Sequence, residues 1–219
     1  MEETNFVLLW KEHYDKIDQS LAINKRLLSE TISQKAHSVL QSLFRFKTRG
    51  IIIAVIYLVF LGFLLFLAIR NYSAAANYFI VSIAAIFLIN LKALYDYCKH
   101  LIWIQGIDFD GSITEIQQKL VKLHLSIFSH SRIMVLQFPF WTTFYLSNRW
   151  FPQYANKGYL FLQCTLTALF TLLAIWLYKN LTPANADKKW IRSILAGSGA
   201  DKVSRALTMY AELEEFRKN

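Results

Sequence analysis

Gly50-Ile-Ile-Ile-Ala-Val-Ile-Tyr57-Leu-Val-Phe-Leu-Gly62-Phe-Leu-Leu-Phe-Leu-Ala-Ile69 is a run without an Asp, Glu, Lys or Arg. A helix rises about 1.5 Å per residue, so a run of about twenty residues crosses the roughly 30 Å hydrocarbon layer of a bilayer. Inside lipid each segment must satisfy its own backbone hydrogen bonds, which a helix does and an isolated strand does not. Working outward, three further stretches carry no charge: Asn71–Leu91, Ile133–Asn148 and Gly158–Tyr178. The reading is an all-α integral membrane protein with four transmembrane helices, the first two in residues 50–91 and the second two in 133–178. A transmembrane barrel needs many alternating segments of about ten residues. These stretches are apolar throughout, and seven Gly and three Pro in 219 residues leave little turn material. The opening Met1-Glu-Glu-Thr-Asn-Phe6 starts acidic and builds no apolar signal core, so insertion is expected to rely on the first span.

Lys and Arg are retained on the cytoplasmic side of bacterial membranes. Of the 24 here, all but Arg70, Arg149 and Lys157 lie before residue 50, between 92 and 132, or after 178. Both termini and the middle loop are therefore expected in the cytoplasm of a multi-pass bacterial inner-membrane protein. The +9 balance sits largely beside the spans, at Arg45-Phe-Lys-Thr-Arg49 and Lys188-Lys189-Trp-Ile-Arg192. That placement suits anionic lipid headgroups, at about 1 kcal/mol each. No zinc-finger or RNA-binding motif accompanies the charge, so nucleic acid is not an expected partner.

The parts outside the spans read as helices. In residues 1–49, Trp10, Tyr14, Ile17, Leu21, Asn24 and Leu28 recur at alternating steps of four and three, the spacing of a coiled-coil seam. An amide such as Asn24 on a seam fixes register. Two outcomes stand open: the stripe meets a partner or a second copy, or it folds back on the middle loop. In 92–132, Ser112 and Glu115 form a capping-box pattern that starts a helix over 112–130. Its stripe is Ile113, Ile116, Leu120, Leu123 and Ile127. In the tail, 179–219, Gly197-Ser-Gly199 breaks the chain before a helix over 201–217, with Val203, Leu207 and Tyr210 on one face. These stripes are the candidate surfaces for a protein partner, for self-assembly or for packing against each other.

Chemistry is scarce. The spans carry almost no ionisable group, where transporters and membrane enzymes keep theirs. The histidines His13, His37, His100, His124 and His130 show no ligand spacing, and are expected to be solvated or locally bonded. Asp108-Phe-Asp110-Gly111 lacks the ligands of a calcium loop and reads as a turn. Cys98 and Cys164 suggest reduced, buried thiols. No catalytic, metal or cofactor site is expected. The third stretch differs from the others: Gln137, Pro139 and Trp141 stand among aromatics, and mark a candidate intramembrane pocket beside a proline kink.

Leu9-Trp10 before a long polar helix, Ile107-Asp-Phe-Asp-Gly-Ser-Ile-Thr-Glu-Ile-Gln-Gln-Lys-Leu-Val-Lys-Leu123 between span pairs, and Ala211-Glu-Leu-Glu-Glu-Phe216 form a pattern across most of the chain. In these features it resembles uncharacterised four-span membrane proteins of Bacteroidota often encoded near sigma-factor genes. The resemblance implies a place in membrane-linked control of transcription, and transfers no catalytic residue. The function expected is a non-enzymatic membrane protein whose cytoplasmic helices bind a protein. The alternatives are a subunit of an oligomeric transporter or channel, and a lipid-modifying enzyme at the membrane interface.

Overall fold

A computed structural model describes residues 2–109 and 111–218, without the side chains of 2–9, 11, 12, 15 and 216–218. Asp110, one carboxylate of the turn considered above, lies outside the described residues. Among them all regular structure is helical. The helices are α1 (Glu2–Arg70), α2 (Asn77–Gln105), α3 (Ile113–Met134), α4 (Phe138–Trp141), α5 (Lys157–Asn180), α6 (Lys189–Leu195) and α7 (Ala200–Lys218).

Helix α1 is one rod of 69 residues, about 100 Å long, with no break where the polar segment meets the apolar one. No proline interrupts it, and its two glycines cost only about 1 kcal/mol each. It ends where Asn71 turns both its backbone N–H and its side-chain amide onto the Leu67 carbonyl, at 3.0 and 3.1 Å. A short 3-10 turn, Ala74–Ala76, leads into α2. Among the described residues, three helices are long and apolar enough to cross a membrane: α1, the α2 segment with its preceding turn, and α5.

The third apolar stretch corrects the expectation of a single helix. Helix α3 enters it, gives way to a 3-10 turn at Val135–Gln137, resumes for the four residues of α4, and then dissolves into turns. The physical reason lies at Pro139, which brings no N–H to the ladder. Its carbonyl is taken instead by the Thr142 hydroxyl (2.7 Å) and the Thr142 amide (3.0 Å), closing the helix. The irregular segment still runs antiparallel beside α2. Matched pairs rise in step from Asn90 with Gln137 (3.1 Å) to Ser82 with Thr143 (2.8 Å) and the rings of Tyr78 and Phe151 (5.7 Å). On its other side it meets α5, where Tyr145 donates to Gln163 at 2.7 Å.

Two cores result. The larger lies in the charged half, where α1, α3, α7 and the lower part of α2 form a helical layer closed by α6 and the end of α5. It holds Ala36, Leu40 and Leu43 of α1 against Leu120, Leu123 and Ile127 of α3 and Val203, Ala206 and Tyr210 of α7. Each fully buried Leu or Ile there is worth about 1.5–3 kcal/mol. The smaller core, Leu61, Ile83 and Ile86 with Phe87, Phe140 and Phe144 around it, ties the apolar half together. The outward faces of that half remain apolar: Ile53, Ile56 and Val59 on α1, and Phe161, Leu162 and Leu172 on α5, are exposed. Continuous apolar surface of this kind suits lipid rather than water.

Candidate functional site

The stripes named from sequence have separate fates. Ile113, Ile116, Leu120, Leu123 and Ile127 are buried, as are Val203 and Tyr210, and Leu207 packs at the core's edge. They are consumed by the layer itself. The cap is in place: the Ser112 hydroxyl accepts from the Glu115 amide at 3.2 Å. Only half of the capping box forms, because the Glu115 carboxylate reaches Lys119 (2.9 Å) rather than back to Ser112.

The α1 stripe remains open. Trp10, Tyr14, Ile17 and Leu21 are each more than half exposed, and Leu28 and Asn24 are exposed too. The middle loop packs elsewhere. Its stripe faces Ala36, Leu40 and Leu43, and α7 starts beside Leu43 and Lys47 and runs back along α1, with Lys202 donating to the Ser42 hydroxyl at 2.9 Å and Ile32 packed on the same core. From Leu28 to Ala36 the helix turns eight residues, which moves the apolar face by about 80°. The buried seam of the layer and the open stripe therefore point in different directions along one rod. Residues 10–28 extend about 27 Å beyond the body with no packing among the described residues. An isolated helix of that length is marginal in water. Here the anchored part of α1 supplies the nucleus.

At the other end of the layer, where α1 and α2 enter their apolar stretches, lies a buried polar cluster. Asp96 of α2 is fully buried and pairs with Lys92, with Lys99 at 3.3 Å and with His130 of α3 at 3.3 Å. The Nδ1–H of His130 donates to the carboxylate. Burial pushes the His130 imidazole below its ordinary pKa, and the Asp96 hydrogen bond opposes that shift. His100 bonds Ser126 across the same two helices at 3.0 Å, and its ring stands 6.2 Å from that of His130. Lys47 of α1 is wholly buried, with no hydrogen-bond partner for its ammonium, and lies 4.2 Å from the centroid of the Tyr97 ring.

This cluster corrects the reading of the histidines as solvated or locally bonded. His100 and His130 are thirty residues apart in sequence, and the α2–α3 hairpin brings them together. Lys92 and Lys99 reach from the buried Asp96 toward the surface. Among the described residues, no group of three His, Cys, Asp or Glu side chains could hold a metal.

Of the three residues named for an intramembrane pocket, Gln137 accepts from Asn90 (3.1 Å), Pro139 opens α4 and Trp141 is exposed against the edge of Phe144. A cleft of about 530 Å³ lies nearby, but Thr143, Leu146, Gln163, Cys164 and Thr167 line it instead. Both cysteines are exposed, not buried as expected. No protein-family model, curated protein or solved structure matches this chain, so its site is read from geometry.

Proposed function

We propose that this chain is a non-enzymatic membrane-anchored docking protein, whose α1 receives a helix of a protein partner. One observation carries the reading: the Trp10–Leu28 stripe stays open while every other apolar stripe of the layer is consumed. A seam-spaced apolar face on a solvated rod has no intramolecular reason to persist. The same rod continues through the layer into the first apolar stretch, so a load on the stripe is borne by the anchor.

In this reading the third stretch is a fourth crossing, broken but flanked by α2 and α5. Irregular backbone is tolerated in a bilayer where protein covers it. The Lys and Arg imbalance supports a reading in which the helical layer and both termini lie in the cytoplasm of a bacterial inner membrane. The resemblance to membrane proteins encoded near sigma-factor genes would make the partner a regulator of transcription.

The test is photo-crosslinking in living cells from a probe at position 17, with the membrane fraction analysed. A discrete polypeptide adduct is expected, lost on Leu21→Lys and kept on Ile23→Lys, which lies on the opposite face. An adduct indifferent to both substitutions would sink the proposal.

A further inference from the structure

We infer that the occupant of the Trp10–Leu28 stripe is a second copy of this chain, paired in parallel and in register. This rests on the docking reading above and names its partner. In heptad letters, Tyr14, Leu21 and Leu28 take position a, and Trp10, Ile17 and Asn24 take position d. All six are exposed, and no described residue of their own chain covers them.

Three features select a copy over an unrelated helix. Asn24 presents an amide with both a donor and an acceptor in the middle of the stripe, at the same height in every copy. Only an in-register Asn24 opposite satisfies both, whereas a one-heptad slip sets each amide against Ile17 or Thr31. The flanking positions also accept a second copy. In a parallel pair, position g faces position e of the next heptad, which sets His13 against Asp18 of the second copy, and Ser20 against Lys25. No like charges meet. Finally, α1 runs without a break into its apolar stretch. Copies embedded in one bilayer with the same orientation hold their rods parallel and at equal height. Register is then set before contact, and confinement to the membrane raises the effective concentration. The lower seam at Ala36–Leu43 faces about 80° away, so pairing at the stripe leaves the helical layer of each copy intact.

The experiment uses the full chain in native membranes, with Cys98 and Cys164 replaced by Ala. Leu21→Cys on the seam is compared with Ile23→Cys on the far face, under copper phenanthroline oxidation. A covalent dimer is expected from Leu21→Cys at ten times or more the yield of Ile23→Cys. A second arm measures particle mass in nanodiscs: Leu21→Lys with Leu28→Lys should turn an oligomer into a monomer, with helical content and thermal midpoint retained. Equal yields from both cysteines, or a wild-type chain that stays monomeric, would overturn the inference. If the chain is monomeric while position 17 crosslinks to a different polypeptide, self-pairing is wrong and the docking reading survives. If position 17 captures nothing at all, both fall.

Discussion

Lys47 is a costly residue to bury. A buried ammonium without a hydrogen-bond acceptor forfeits its hydration, and the face of Tyr97 replaces only part of it. Asp96 does not depend on it, since Lys92, Lys99 and His130 already surround that carboxylate. Lys47→Met should therefore stabilise the fold by about 1–2 kcal/mol, read as a raised thermal midpoint in detergent. Gly50 sits one turn above and shows why the cluster is tight: a Cβ there would stand 2.6 Å from the Tyr97 ring. His130 makes the cluster sensitive to acid. Its folded pKa lies below the unfolded value of about 6.5, so the unfolded chain binds the proton more readily. The contribution of neutral His130 is complete above that unfolded pKa and is lost as pH falls below it. Thermal midpoints should drop between pH 7.5 and 5.5, and His130→Gln, which keeps a donor toward Asp96, should lessen the dependence, with the buried His100 beside it supplying the remainder. An unchanged slope in that variant would assign the acid sensitivity to another group.

At the scale of elements, apolar stripes with similar spacing do different work, and substitution separates them. Leu123→Ala empties a fully buried site in the layer and should cost about 2–5 kcal/mol of unfolding free energy. Ile17→Ala, on the open stripe, should leave the isolated chain within about 0.5 kcal/mol of wild type. Chemical denaturation of the two variants side by side checks the contrast. The turn between α6 and α7 has its own requirement. Gly199 adopts φ +86° with its Cα against Leu43 of α1. An alanine there meets both backbone strain and the Leu43 side chain, so Gly199→Ala should destabilise by more than about 1 kcal/mol. Much of this was legible beforehand. The spacing of Ile113 to Ile127 and the Ser112 cap mark a helix whose observed start is at residue 113. Helix α6 was missed, because Lys189–Leu195 is too short to show a period. The α3-to-α4 break was only half legible: Pro139 announced a kink, while the loss of helix after Trp141 depends on the hydroxyl and amide of Thr142 turning to Pro139.

For the whole molecule, the proposed topology predicts opposite labelling of its two ends. A single cysteine in the Arg149–Lys157 connection, in the chain lacking Cys98 and Cys164, should react with an impermeant maleimide added to intact cells. One near Lys188 should react only after the membrane is opened. Labelling of both sites in intact cells would refute the orientation. The existence of apolar stretches, the polar helices between them and the spacing of each stripe were determined by the sequence itself. Hydropathy and helical period are sums over neighbouring residues, and they need no partner to be read. Tertiary structure alone decided which stripe stays open, since burial of α3 against Ala36–Leu43 and α7 rather than against Trp10–Leu28 depends on how distant helices align. It also decided that Lys47, Asp96, His100 and His130 share one buried site. Their proximity comes from the antiparallel register of α2 and α3 and the passage of α1 beside them, a long-range geometry that no local pattern encodes.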